Sequence, residues 1–227
     1  MEALQSKIAI QINPNVYKKD PVSSELGIKI VREGILLLDE LGFENFTFKK
    51  LAIKINSTEA SIYRYFENKH NLLAYLTMWY WSWTENKIIL KTLNIDSPEE
   101  RLRRAIKCLT EEINEDKSVS HIDEIKLHNI VILESSKVYL CKTVQSDNES
   151  GFFLSYKSLV QRVADIILSI KPTFKYPHML VSTIIEGAHH QRFFAHYLPR
   201  LTDTIEGEDA VTAFYTQLAE RELNIEK

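Results

Sequence analysis

The chain has 227 residues, 44% of them hydrophobic and 26% charged, which is ordinary for a soluble globular protein and enough for one large or two modest domains with a real core. A net charge of −3 argues against a protein that coats nucleic acid without selectivity, but is compatible with a site-specific binder, for which the placement of charge matters more than its total. Only 6 Gly and 6 Pro favour long helices over turn-rich β structure, no apolar run approaches the roughly 20 residues that span a membrane, and the two cysteines, Cys108 and Cys141, have no metal-type spacing and fit a reducing cytosol.

Residues 1–23 read as an N-terminal arm. Its first stretch, MEALQSKIAIQINPN, has neither an apolar segment nor a cleavage signature, so no export signal is expected. Pro14 and Pro21 interrupt it, and Tyr17-Lys18-Lys19-Asp20 could follow DNA phosphates or enter a minor groove, the plainer reading being a loosely packed tail. A helix is expected from Ser24 to about Leu41, with Ile28, Val31, Ile35 and Leu38 on one side and Gly42 in the position that ends helices.

The run from Gly42 to Leu73 reads as two short helices, a tight turn between them, and the start of a longer helix. Thr47 can cap the first, in which Leu51, Ala52 and Ile55 form one apolar side. Asn56-Ser57-Thr58 breaks the pattern, because Asn tolerates the left-handed backbone that ends helices and Thr58 can cap the next one. In that next helix, Glu59 to Phe66, a spacing of about 100° per residue turns Ile62 and Phe66 inward and Ala60, Tyr63 and Arg64 outward, flanked by Glu59 and Ser61. A small residue, a hydroxyl, a phenol and a guanidinium on one face suit the DNA major groove. Helix, turn and helix together make a helix-turn-helix. Residues 45–75 hold five basic and two acidic residues, so positive charge gathers on the motif.

These residues resemble the DNA-binding domain of the TetR family of bacterial transcriptional regulators. The likeness rests on Gly42-Phe43, Phe46-Thr47, Leu51-Ala52, Ser61-Ile62-Tyr63-Arg64-Tyr65-Phe66 and Asn68-Lys69 before Leu72-Leu73, over roughly residues 24 to 75. Three positions depart from the family pattern: Asn56 where Gly is usual, Ser57 where a small apolar residue is usual, and Glu59 at a base-reading position. Glu59 is either an acceptor for a cytosine amino group or a carboxylate favoured at a helix N-terminus.

Further along, a helix from Lys69 to about Leu93 carries Tyr75, Trp79, Tyr80, Trp81 and Trp83, aromatics on more than one side that imply extensive burial. Ser97-Pro98-Glu99-Glu100 has the form of a capping box and opens a helix expected to reach about Asp116. Another helix is expected from about Ser120 through Ile122, Ile125, Ile130, Leu133 and Val138 to about Val144, followed by a polar loop from Gln145 to Gly151 and a helix from Phe152 to Ile170. The last two helices, about Tyr176 to Tyr197 and Ile205 to Asn224, carry Leu180, Ile184, Gly187, Gln191 and Phe194, and Val211, Phe214, Tyr215 and Leu218.

The expected fold is thus all-α: the arm, a three-helix DNA-binding domain over 24–70, and a helical ligand-binding and dimerisation domain over 71–227. The resemblance implies a cytoplasmic homodimer that binds a roughly palindromic double-stranded operator and is released, as a repressor, by a small molecule. The candidates for base contact are Lys49, Glu59, Ala60, Ser61 and Arg64, and those for phosphates Thr47, Tyr63, Tyr65 and Lys69, with an inward-packed Tyr65 as the alternative; the resemblance supports Lys49, Tyr63 and Lys69 best. The nine stripe residues of the last two helices are the dimer candidates. Trp79, Trp83, Cys108, His128, Phe153, Tyr156 and Phe193 are the ligand candidates, and their character implies an apolar or aromatic effector. No catalytic motif is found: G-x-S-x-G, a phosphate-binding loop, H-E-x-x-H and a dinucleotide glycine fingerprint are all missing, and no cofactor is expected. Glu186-x-x-His189 has the spacing of a di-iron bundle ligand pair, but its counterpart, Glu67-x-x-His70, falls in the helix-turn-helix connection, so no metal is assigned. The competing reading is a TetR-like dimer that binds a protein partner instead of DNA.

Overall fold

The computed structural model describes residue 10, residues 12–113 and residues 121–225. Eleven α-helices are found among them: α1 (Glu25–Asn45), α2 (Phe48–Lys54), α3 (Glu59–Tyr63), α4 (Lys69–Thr92), α5 (Pro98–Thr110), α6 (Glu124–Glu134), α7 (Ser136–Tyr139), α8 (Val144–Glu149), α9 (Leu154–Ile170), α10 (Pro177–Tyr197) and α11 (Ala210–Leu223). The described residues contain no strand, only an isolated bridge between Ile205 and Glu208. No described helix is long and apolar enough to cross a membrane. The chain divides into two compact units, one running through Ser82 and including Ile113–Ser155, the other made of Trp83–Glu112 and residues from Tyr156 onward. This division differs from the expected break after residue 70, because residues 113–155 belong with the N-terminal helices.

In the first unit, Ser24 caps α1 by accepting from the Gly27 N–H. The buried side of α1 is Ile30, Val31, Ile35, Leu37 and Leu38, with Ile28 half-buried. At Gly42 the backbone turns to φ 70°, ψ 162°, so the regular helix stops where the sequence expects it to, although one more turn follows to Asn45. The helix α6 packs along α1 and is tied to it twice: Lys126 Nζ donates to Asp39 Oδ2 at 2.7 Å, and the Phe43 N–H donates to Glu134 Oε1 at 2.9 Å. Glu134 is buried and also pairs with Lys137. Lys126 is held above its ordinary pKa by its hydrogen bond to Asp39 and that carboxylate's charge.

Part of the arm is packed rather than loose; its first nine residues lie outside the described ones. Val16 and Pro21 are buried, Asn13 Nδ2 donates to Ser150 O at 3.2 Å, and Asn15 Nδ2 donates to the same oxygen at 3.1 Å.

Three expected elements differ. The helix expected from Ser120 to Val144, whose first residue lies outside the described ones, breaks at Ser135 and again at Leu140, with Ile125 and Leu133 exposed and Leu127 and Val131 buried in their place. The expected loop 145–151 contains α8, since Ser146 Oγ bonds Thr143 O and the Asp147 N–H continues the turn to the same carbonyl. The helix expected to reach Asp116, a residue outside the described ones, ends at Thr110, because Glu111 is extended and Arg192 Nε takes the Thr110 carbonyl at 2.8 Å.

The second unit packs α5, α10 and α11 against one another, with Leu102, Ile106, Val181, Ile185 and Ala219 among its buried residues. Ser97 caps α5 through the Glu100 N–H at 3.1 Å, but Glu100 turns away to Arg104, so only half of the capping box forms. Asp209 caps α11 and accepts from Arg192 at 2.7 Å. The Arg192 and Thr212 hydrogen bonds hold its carboxyl below its usual value against the opposing effect of burial, the largest single influence.

Candidate nucleic-acid interface

Local backbone chemistry builds the helix-turn-helix. Thr47 Oγ1 accepts from the Lys50 N–H at 3.2 Å and opens α2. Ile55 closes that helix, Asn56 takes the left-handed conformation at φ 53°, and the Ser57 N–H reaches back to Ala52 O at 2.9 Å. Asn thus fills the place that usually needs glycine. Thr58 Oγ1 then accepts from the Ser61 N–H at 3.2 Å and also bonds the Ser61 hydroxyl at 2.9 Å, which opens α3. The anchors beneath α3 are Ile62 and Phe66, both fully buried. At five residues α3 is shorter than expected, since Arg64 is its C-cap, although the Phe66 N–H still bonds Ile62 O.

This architecture turns Glu59, Ala60, Tyr63 and Arg64 to the outside and leaves Ser61 half-buried. The Tyr63 ring rests edge-on against Phe48 at 5.1 Å while 45% of the residue stays exposed, so its hydroxyl is steered outward on a supported ring. Lys49 and Arg64 are exposed, and their side chains make no hydrogen bond or ion pair among the described residues. Thr47 is exposed as well, with its hydroxyl oxygen occupied by the cap.

Two expected phosphate contacts are corrected. Tyr65 is 3% exposed, its hydroxyl bonded to Ser24 Oγ at 2.7 Å and its ring covered by Lys19 Nζ at 5.1 Å, so it packs inward. The Ser24 hydrogen bond, aided by Lys19 and opposed by burial, holds the Tyr65 phenol below its ordinary pKa. Lys69 Nζ donates to the carbonyls of Phe43, Glu44 and Phe46 at 2.8, 3.2 and 3.3 Å and lies 4.5 Å over the Phe43 ring. All three ammonium protons are therefore spent on the end of α1. In the same way, Lys29 pins Ile55 O and Lys50 pins Asn45 O. Lys54 is an exposed cation that the sequence does not single out, and Lys18, one of the arm residues expected near phosphates, is exposed too; its N–H donates to Tyr65 O at 2.7 Å, which places this part of the arm at the end of the recognition segment.

The other candidates scatter. Trp79, His128 and Phe153 belong to the first unit, and Trp83, Cys108, Tyr156 and Phe193 to the second. Trp79, Trp83 and Cys108 are buried, and burial raises the Cys108 thiol pKa. The Nδ1 of His128 bonds the Tyr80 hydroxyl at 2.8 Å, Tyr156 Oη donates to Glu186 at 3.0 Å, and Phe193 packs on Tyr197 at 4.7 Å. None of the seven lines the two larger clefts described in the second unit, one of about 550 Å³ beside Gln191, Leu201, Ile205 and Phe214, the other of about 620 Å³ beside Ile89, Arg101 and Arg162.

Of the dimer candidates, Ile184, Val211 and Tyr215 are buried in the second unit and complete its interior. A Cβ on Gly187 would sit 2.1 Å from the Tyr215 hydroxyl, so the close approach that Gly187 permits is between α10 and α11 of one chain. Leu180, Gln191, Phe194 and Leu218 stay half-exposed and Phe214 is 59% exposed.

Fold and surface together define an all-helical protein with an N-terminal helix-turn-helix. Residues 30–76 match the family model described as bacterial regulatory proteins, tetR family. The N-terminal domain is therefore a tetR-family domain, and the chain has the fold of tetR-family transcriptional regulators. A regulatory protein of the tetR family from Rhodococcus RHA1 shares that fold at a TM-score of 0.57 and 11% identity, over 88% of this chain and 96% of its own. The ketosteroid transcriptional regulator KstR2 of Mycobacterium tuberculosis does so at 0.55 and 13%, over 96% and 97%. AibR, in complex with isovaleryl coenzyme A and operator DNA, does so at 0.54 and 14%, over 85% and 95%. No curated protein matches the chain by sequence.

Proposed function

We propose that the protein is a DNA-binding transcriptional repressor that reads a roughly palindromic operator as a homodimer and is released by a small apolar or aromatic effector. The observation that carries this reading is the outward face of α3: Ala60, Tyr63 and Arg64 exposed together above the buried Ile62 and Phe66, with Lys49 exposed on α2. Arg64, Glu59 and Lys49 are suited to base edges and the Tyr63 hydroxyl to the neighbouring phosphates. One such helix touches few base pairs, so two copies reading two half-sites are needed for selectivity. The exposed Phe214, with the half-exposed Leu180, Phe194 and Leu218, supplies apolar surface for a second copy. For the effector, the support is AibR, crystallised with both an acyl thioester and operator DNA on the same fold. Such a ligand releases DNA only if it binds the non-reading arrangement better. A regulator of this kind works in the cytoplasm, and the reading assigns it no enzymatic step.

Fluorescence anisotropy with DNA from immediately upstream of the coding region, against scrambled DNA across a salt series, tests the reading. Selective binding that weakens steeply with salt is expected, because phosphate contacts release counterions. No binding to either DNA at low salt would refute it and favour a protein partner.

A further inference from the structure

Three side chains from separate stretches of the first unit meet at one point. His70 stands in the first turn of α4, Cys141 in the turn after α7, and Asp147 in α8, and their Nε2, Sγ and carboxylate oxygen all lie within 4.8 Å of one another. The imidazole Nε2 is 2.9 Å from Asp147 Oδ2, and the thiol sulfur is 4.0 Å from the same oxygen. Thr143 Oγ1 donates to that oxygen at 2.9 Å and lies 3.2 Å from Sγ. The His70 ring is stacked on Phe152, with centroids 6.5 Å apart, which fixes its plane. The side chains of His70 and Asp147 are 24% and 13% exposed, sheltered yet open to an entering ion.

We propose that His70, Cys141 and Asp147 form a binding site for a zinc-type divalent cation. Ligand bonds of about 2.0–2.3 Å in a tetrahedral shell place donor atoms roughly 3.3–3.7 Å apart. The observed separations straddle that range, so rotamer adjustments of about 1 Å or less bring all three onto one ion. One thiolate, one imidazole and one carboxylate select zinc over magnesium or calcium, which prefer all-oxygen shells. Thr143 orients the carboxylate from outside the shell, as hydroxyls and carboxylates commonly do around metal ligands, and the fourth position is left for water. Binding releases the thiol proton to solvent, moves the imidazole proton that Nε2 donates to Asp147 onto Nδ1, and replaces the His70–Asp147 hydrogen bond by two metal bonds. The ion would staple the start of α4, four residues beyond Phe66, to α8. No spacing in the sequence announces this site, because its donors lie 71 and 6 residues apart in the chain.

The test is titration of chelator-treated full-length protein with Co2+, followed by displacement with Zn2+. The expected result is one equivalent per chain, with visible bands of a tetrahedral ion and a near-ultraviolet sulfur-to-metal charge-transfer band, and a rise in Tm with Zn2+. Cys141→Ser and Asp147→Asn should each weaken binding at least tenfold, and Cys108→Ala should leave it unchanged. Absence of the charge-transfer band in the parent protein overturns the proposal, as does a band that survives in folded Cys141→Ser.

Discussion

Replacing Tyr65 by Phe separates an inward-packed phenol from a phosphate contact. The ring is 3% exposed and its hydroxyl makes one 2.7 Å bond, to Ser24 Oγ, which itself caps α1. Loss of one neutral hydrogen bond between partly buried groups costs about 0.5–1.5 kcal/mol. In a chain of this length that lowers Tm by roughly 1–6 °C. DNA affinity should stay within about twofold of the parent, for the hydroxyl has no path to a phosphate. Tyr63→Phe, in contrast, removes an exposed hydroxyl from a ring already braced on Phe48. It should leave Tm nearly unchanged and weaken binding to all DNAs about tenfold, the worth of a hydrogen bond to a charged group at about 1.5 kcal/mol or more. Scanning calorimetry gives the first quantity and anisotropy at fixed salt the second. If Tyr65→Phe lost tenfold or more in affinity while folded, the assignment of the two tyrosines would be refuted.

Arg64→Ala should relax the choice of base at one position of each half-site by about 1–3 kcal/mol while binding to unrelated DNA falls less; competition with operator variants reads the difference. Gly187→Ala forces a methyl group to 2.1 Å from the Tyr215 hydroxyl and should destabilise the fold by about 1–3 kcal/mol in urea, a result that an unchanged denaturation midpoint would contradict. Tyr75 is buried and its phenol pKa lies far above its ordinary 10.0 because burial disfavours the phenolate. The unfolded chain therefore sheds this proton first, and stability present below pH 10 falls as pH rises past it, by up to about 1.4 kcal/mol per pH unit. Tyr75→Phe should flatten the decline between pH 9.5 and 11 (roughly the onset set by the free phenol), and an equally steep decline in the variant would count against the burial argument.

What the sequence made legible was local. Thr47, Thr58, Asn56 and Gly42 each act through bonds to residues a few positions away, and each adopts the expected geometry. Tyr65 and Lys69 misled because their partners are remote: Ser24 lies 41 residues back, and the carbonyls that Lys69 caps are more than twenty back. The stripes of the last helices hold buried and exposed residues side by side, because periodicity does not say what covers them. For Ile184, Val211 and Tyr215 the cover is the same chain. The polar run 145–151 read as a loop because its composition is hydrophilic, although side chains at Thr143 and Ser146 hold a helical turn there.

The bond from the Phe43 N–H to buried Glu134, with Lys126 on Asp39 beside it, has a bearing on engineering. The residues that dock the reading head are supplied from a stretch some ninety positions downstream, so the head is not a detachable cassette. A graft that exchanged residues 24–70 alone would remove the Asp39 carboxylate that holds Lys126, and would keep a partner amide for Glu134 only if the incoming backbone turned at position 43 as this one does. Transferring a new DNA specificity into this scaffold calls for moving α6 and its acidic and basic anchors together with the helix-turn-helix, or for rewriting only the outward residues of α3 and leaving everything behind them in place.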